Sequence, residues 1–429
     1  MTRRRLALVG AVLLAAACVE RLTAPGHCPD FCPSGQITVV DTLLTTSINR
    51  DSAYRGYAVS YQSPVMLAAV LPSATDTLDG RPIFRFNGYG PRLPISSVDT
   101  GQILGADSAR LQLYIVRRDT ATHNLRLQFY RLPTTIDTTT TFGAVAAAFN
   151  NAPVRPTVYV DTLLAQPGGK DPVTGDSVVV DTVNHRWLLS LKFNAAAAPY
   201  DGTSDSGAVA YGIRIAADTL ASIAFGKGSV GPVLQWYLSV DSLGIKPVPR
   251  TPGALGTGFA SFVFNPPPAP LDSNPVTGGT FPYSTLAVGG VPSARSLLRV
   301  AFPKFIRDSS QIIRGTLFLV PAVAARGAPA DSFVMEARTV LADFGRKSPI
   351  DARLDDPIVI HPGAMDTIKI EVTNILQLWA ADTTHPTVFL LRPQAEAQYF
   401  GEIRFYPSKA ALRPTLQITY VKQFPFGVP

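Results

Sequence analysis

With 429 residues, a net charge of +7 and 16% charged residues, against about 25% in typical soluble domains, the chain is long enough for more than one core and too sparsely charged for a cytosolic helical enzyme. No basic run and no alternation of aromatic and basic residues occurs, which excludes nucleic acid as a partner. Threonine, serine, proline and glycine are plentiful instead, a composition suited to extracellular β-structure.

Residues 1–18 place three arginines before an apolar run from Leu6 to Leu14, then three alanines and Cys18. Positive charge holds the start on the cytoplasmic side while the apolar run enters the bilayer, and small residues admit a peptidase. The run is too short to span a membrane comfortably, so residues 1–17 are predicted to be an export signal. Ala15-Ala16-Ala17-Cys18 resembles a bacterial lipoprotein processing site, with Ala15 where leucine is usual. The resemblance implies lipidation of Cys18, attachment to the membrane through that lipid, and residence in the cell envelope at the outer membrane or cell surface. Secretion with a cut near Ala17 is the alternative. Cleavage removes three arginines and no acids, taking the net charge from +7 to +4.

The tether, residues 18–36, contains Cys28 and Cys32. With Cys18 assigned to lipid, these two are predicted to form a small disulfide loop in an oxidising compartment. Metal binding there needs more ligands than His27 supplies, and the spacing is not that of a redox pair.

From Ile37 short apolar runs alternate with turn residues. Val39–Leu44, Val158–Leu164 and Val178–Val183 share an aliphatic-Asp-Thr-aliphatic form and read as strands, with Asp accepting backbone donors at strand ends or bulges. Gln166–Asp176 reads as a long hairpin turn between two of them. Helical signals are confined to Phe142–Asn150 and Val372–Ala380, the latter with Ile375, Leu376 and Trp379 on one face. Periodicity vanishes at 248–258, where proline and glycine dominate and mark a linker. The chain is therefore divided into a first domain at 37–245, a linker at 246–258, a second domain at 259–422 and a tail at 423–429. Each domain can hold one β-sandwich.

Arg295–Val320 sets the second domain's architecture. Residues alternate in Leu297–Phe302, Pro303 ends the run, Arg307-Asp308-Ser309-Ser310 is predicted to be a polar turn, and a second strand buries Ile313, Leu317 and Leu319. Arg81–Phe86 followed by Ala109–Val116 repeats the arrangement, which suggests an internal duplication.

The second half resembles the DNRLRE or disaggregatase-related domain, an extracellular module grouped with carbohydrate-binding modules. The matching pieces, in order, are Arg295–Val300, Ile313–Leu319, Ile370–Asn374 running to Trp379, and Arg413–Tyr420. Val300 stands where phenylalanine is usual, and Gly315 where alanine is. The first half resembles the module more faintly, through Arg81–Phe86, Ala109–Val116, Tyr211–Ile215 and Pro232–Leu238, with Trp187 as a substitute for the missing tryptophan. The resemblance implies jelly-roll sandwiches, and the strand pattern independently requires paired antiparallel sheets. The fold class expected is all-β: two tandem antiparallel jelly-roll-like sandwiches with at most short helices.

No hydrolase, nucleotide or metalloprotease motif occurs, and His27, His123, His185, His361 and His385 are scattered among turn residues. Asp355-Asp356 reads as a solvated turn. Asp201–Gly207 has the oxygen-rich look of a calcium loop but lacks the terminal bidentate acid, so Asp201 and Asp205 are weak metal candidates beside a plain flexible loop. No cofactor is expected beyond such a structural calcium. Sugar binding requires rings bordered by polar groups. Among the tyrosines at 54, 57, 61, 89, 283, 399 and 406, the group Tyr54, Arg55 and Tyr57 is the candidate ligand site, and Trp187, Trp236 and Trp379 are expected to be buried.

The functional expectation is a non-catalytic envelope lipoprotein whose sandwiches bind a polysaccharide, other glycan or envelope protein. The alternatives are a polysaccharide-degrading lyase or hydrolase built on a sandwich, and a structural subunit of a surface assembly.

Overall fold

Alternating apolar residues become strands throughout, and every strand pair is antiparallel. The computed structural model describes residues 39–72, 77–88, 91–119, 121–200, 207–241, 244–250, 258–265 and 285–422. The all-β expectation holds. Strands β1 (Val39–Leu44) and β2 (Ile48–Arg55) open the chain. There follow β3 (Val65–Pro72), β4 (Thr77–Phe86), β5 (Arg92–Pro94), β6 (Thr100–Arg118), β7 (Arg126–Leu132) and β8 (Val158–Tyr159). The first sandwich continues through β9 (Ser177–Asp181), β10 (Arg186–Asn194), β11 (Val209–Ala216), β12 (Ala221–Gly226), β13 (Val233–Val240), β14 (Gly244–Arg250) and β15 (Phe259–Asn265).

One layer of this sandwich runs β14-β13-β6-β10-β9, and the end of β6 crosses over to begin the other, β12-β3-β4-β11-β7-β8. Between the layers lie Leu111, Leu113, Phe129, Leu191, Phe193, Tyr211 and Trp236. Alternation in β13 makes the reason plain: Leu234, Trp236, Leu238 and Val240 are buried while their neighbours are half exposed, the period-two signature of a sheet with one wet face. The buried Trp236 indole N–H is satisfied by the Ala198 carbonyl at 3.2 Å.

The second sandwich comprises β16 (Leu286–Gly289), β17 (Ala294–Val300), β18 (Ser310–Leu319), β19 (Pro321–Arg326), β20 (Phe333–Val340), β21 (Ile350–Leu354) and β22 (Ile358–Ile360). It ends with β23 (Ile368–Glu371), β24 (Val388–Pro393), β25 (Glu402–Phe405) and β26 (Thr415–Lys422). Its layers are a four-stranded sheet, β1-β26-β18-β23, and a larger one, β19-β25-β16-β17-β24-β20-β21, with β2 added on β17 and β22 on β20. Both opening strands therefore belong to the second sandwich, not the first. Conversely β15, expected to start the second domain, pairs with β4 in the first.

These pairings expose a duplicated plan. Pro232–Leu238 (PVLQWYL) and Pro414–Tyr420 (PTLQITY) place β13 beside β6 and β26 beside β18, with Gln235 opposite Arg110 and Gln417 opposite Thr316. In each half the opening pair of strands crosses to the other half's sandwich: β14 on β13 and β15 on β4, β1 on β26 and β2 on β17. The boundary drawn from sequence fails for that reason. Part of the proline-rich stretch read as a linker, up to Arg250, is strand β14, whose prolines are tolerated because it lies at an edge.

Local differences follow the same physics. Helices α1 (Phe142–Ala146), α2 (Val160–Ala165), α3 (Lys304–Ser309) and α4 (Thr373–Ala381) are all short. Val158–Leu164 is mostly helix α2 rather than strand, because Asp161 in its first turn accepts from Arg118 and from the Leu125 amide, so the Gln166–Asp176 turn follows a helix and is not a hairpin between two strands. The predicted turn at 307–310 is largely α3, and β17 and β18 lie in opposite layers instead of forming a hairpin. A bulge in β18 between Ile312 and Arg314 resets the phase, burying Ile312 and leaving Ile313 49% exposed. Asp355 is not in a solvated turn; it is buried and accepts from the Asn374 and Ile375 amides at the start of α4, satisfying donors that a helix leaves open. Trp236 and Trp379 are fully buried, whereas Trp187 is only partly so.

The sandwiches pack on each other through Leu67, Ala69, Ala224 and Phe262 of the first and Val291, Ala397 and Phe400 of the second. Phe400 meets Phe262 edge-on at 5.6 Å. Gly80 permits this approach, since a Cβ there would sit 2.8 Å from the Phe400 ring.

Candidate functional site

Register across the four-stranded sheet arranges its outer face in rows. Leu43, Gln417, Thr316 and Glu371 form one row, and Thr415, Phe318 and Lys369 the next. Period-two alternation sends Leu416 and Ile418 of β26 and Leu317 and Leu319 of β18 into the core, which leaves the intervening residues facing solvent.

At one end of this face lies an open groove of about 610 Å³, lined among others by Leu43, Thr45, Phe318, Arg413, Thr415 and Gln417. Leu43 is 56% exposed and, with Phe318, supplies apolar surface. Lys369 holds its ammonium 5.6 Å from the centre of the Phe318 ring. Asp41 fixes the polar border, accepting from Gln417 Nε2 at 2.6 Å and from Thr419 Oγ1 at 3.2 Å. Those bonds orient the Gln417 amide, leaving its carbonyl oxygen free to accept from outside. An aromatic ring, aliphatic flanks, an amide, hydroxyls and a guanidinium suit a ligand with one C–H face and many hydroxyl groups. Among the described residues the groove's lining includes no Asp, Glu, His or Cys.

A second cleft, about 560 Å³, opens on the first sandwich between Tyr61, Gln62, Lys227, Ser229 and Phe259. Lys227 donates to the Tyr61 carbonyl, and burial lowers its pKa.

The structure brings Tyr54, Arg55 and Tyr57 together at the end of β2, where they hold that strand to the second sandwich. Arg55 pairs with Glu402 at 2.7 Å and donates to the Pro292 carbonyl at 3.0 Å. Arg295 stacks on Tyr57, 3.9 Å from the ring centre, while forming a bidentate pair with Glu396. The Tyr57 hydroxyl donates to the Arg346 carbonyl at 2.9 Å, and burial pushes the phenol above its ordinary pKa. Tyr54 packs beside Leu297 and Val340. Each polar group of the trio that these contacts use is thereby engaged within the chain, and the group sits away from the groove's lining. Cys18, Cys28, Cys32, Asp201 and Asp205 lie outside the described residues. Among the described residues no three His, Cys, Asp or Glu side chains gather as metal ligands would.

Sequence reasoning missed Phe318, Gln417 and Leu43. Their signal was a ring on the solvent-facing parity of β18, which the expected burial of Leu317 and Leu319 already implied; what the sequence did not show was that β1 pairs with β26 and brings Leu43 to the same face.

The fold makes the chain a tandem β-sandwich protein. No protein-family model matches it, and no curated protein does. Among solved structures it is similar to the N-terminal tandem CBM22-1–CBM22-2 domain of Xyn10C from Paenibacillus barcinonensis, at 10% identity over 86% of this chain and 97% of that one, with a TM-score of 0.15. At that score nothing about this chain follows from the likeness.

Proposed function

We propose that this chain is a non-catalytic cell-envelope lipoprotein, exported by residues 1–17 and anchored through lipid on Cys18, that binds a polysaccharide or other glycan of the envelope. The observation that carries the reading is the groove on the four-stranded sheet, where Phe318 and Leu43 offer apolar surface beside the Gln417 amide and the hydroxyls of Thr45 and Thr415. Sugar rings present C–H faces to such surface while their hydroxyl groups need donors and acceptors at its border. The resemblance of Arg295–Val300, Ile313–Leu319 and Arg413–Tyr420 to an extracellular carbohydrate-binding module points the same way.

Affinity electrophoresis against a panel of neutral and acidic polysaccharides tests this, alongside a reducing-sugar assay on each one that retards the protein. Phe318→Ala removes apolar contact of roughly 50–100 Å², worth about 1.3–2.5 kcal/mol at ~25 cal/mol/Å², so retardation is expected to weaken at least about tenfold. Unchanged retardation in Phe318→Ala and in Gln417→Ala would move the site elsewhere, and release of reducing ends would replace the binding reading with an enzyme. Cys18→Ser is expected to shift the protein from the membrane fraction to the soluble one.

A further inference from the structure

We infer that the outer edge of β1, which no described strand pairs, is a self-association surface whose partner is the β1 of a second copy of this chain, so that two four-stranded sheets join into one of eight. The argument rests on the duplicated plan. β1 and β14 hold the same place, each as the terminal strand beyond β26 or β13, yet their outer edges differ in chemistry.

In an antiparallel pair, alternate residues point both N–H and C=O to the same side. Pro247 and Pro249 of β14 lie opposite Tyr237 and Gln235, and lacking N–H groups they cannot serve the ladder with β13. They occupy outward positions and strip the first sandwich's edge of donors, a common defence against strand addition. In β1 the corresponding positions, opposite Thr419 and Gln417, are Asp41 and Leu43, and both keep their N–H. β1 contains no proline, bulge, lysine or arginine. Its single charge, Asp41, is occupied by Gln417 and Thr419 on its own sheet. Val39 and Leu43 are 57% and 56% exposed. At the sheet's other end β23 is four residues long and runs directly into α4, so among the described residues β1 is the edge left open.

The sequence VVDTLL also selects a register. A two-fold axis through Asp41 sets two carboxylates opposite each other and is disfavoured. An axis through Thr42 pairs Val40 with Leu44 and Asp41 with Leu43, and faces Thr42 with its own copy, a favourable cross-strand pair. Leu43 and Thr45 line the groove, so this register brings the two grooves side by side on one continuous face.

The test uses full-length protein extracted from membranes in detergent, with Cys28→Ser and Cys32→Ser as the parent. In the Thr42-centred register the two Thr42 Cα atoms are about 4.5 Å apart, within disulfide reach. Thr42→Cys is therefore expected to give a covalent dimer under mild oxidation, and Val98→Cys and the parent are not. Sedimentation velocity is expected to show a concentration-dependent dimer, weakened at least about tenfold by Asp41→Pro, which copies Pro247. If Asp41→Pro loses its β-sheet circular dichroism, Leu43→Lys takes its place, putting a charge on the edge. A monomer at every concentration overturns the inference. So does a dimer that survives both substitutions without a Thr42→Cys cross-link, or a β1 edge found occupied by a different protein.

Discussion

Asp331 of the second sandwich, fully buried, accepts a hydrogen bond from the Ser222 hydroxyl of the first at 2.8 Å. The same carboxylate takes the Ala328 and Phe400 amides at 3.0 and 3.2 Å, and Arg117 approaches to 3.8 Å while lying on the Tyr399 ring. Burial raises the Asp331 pKa and lowers that of Arg117, and in each case it outweighs the partner's opposing charge. The pair lies at the junction of the two sandwiches, where burial works against the charged form of both members.

Asp331→Asn should destabilise the protein at neutral pH by about 1–3 kcal/mol, because an amide NH2 replaces one of the two oxygens that accept from Ser222, Ala328 and Phe400. The pH dependence has a definite sign. A carboxyl whose folded pKa lies above its unfolded value binds protons more tightly when folded, so its contribution is full below the unfolded pKa and is lost as pH rises through the folded one. The stability gap between wild type and Asp331→Asn should therefore be wider at pH 4 than at pH 8, as read from urea midpoints. A gap that widens with pH would contradict this arrangement.

Ile48 in β2 is buried in the second sandwich's core beside Leu298 and Val300. Ile48→Ala should cost about 2–5 kcal/mol, and the loss should fall on the far half of the chain. With Trp379 and Trp236 as separate single-tryptophan reporters of the two cores, the Trp379 transition moves and the Trp236 transition moves less.

Gly315 is a close-approach position: a Cβ there would sit 2.1 Å from Leu376 Cδ1 of α4. Gly315→Ala should destabilise by about 1–3 kcal/mol through overpacking. Adding Leu376→Ala should cost less in that background than in wild type, a coupling that a double-mutant cycle measures.

Asp181 is half-buried, and the Asn184 side chain and amide, with Arg186 behind them, pull its pKa down to about 2. A depressed carboxyl contributes stability that is present above its unfolded pKa and lost as pH falls through the folded value. Carboxyl chemical shifts should titrate near pH 2, and Asn184→Ala should bring the midpoint up toward the ordinary aspartate range of about 3.9.

The alternation in Leu234–Val240 and in Leu317–Leu319 was legible because burial of one sheet face imposes it residue by residue. So were α4 and the all-β class. The bulge at Ile312 was not, since a single added residue leaves no mark on composition. Asp161 misled because aliphatic-Asp-Thr suits a strand and the first turn of a helix equally; its partners Arg118 and the Leu125 amide decided the matter. Least legible was the destination of β1 and β2. Val39 pairs with Val421, and nothing near Val39 names a partner at the opposite end of the chain. That pairing also decided the groove, since Leu43 and Thr45 complete a wall whose remainder comes from β18, β26 and their loops.

The pairing of β1 with β26 has a mechanical corollary. If Cys18 is tethered in the membrane and a glycan is gripped at the groove, traction enters through β1 and meets resistance within the same sheet. The six residue pairs between Val39–Leu44 and Leu416–Val421 would then bear load along the strand axis together, rather than opening one after another. The first sandwich would lie outside that line of force, able to engage something else while the second holds.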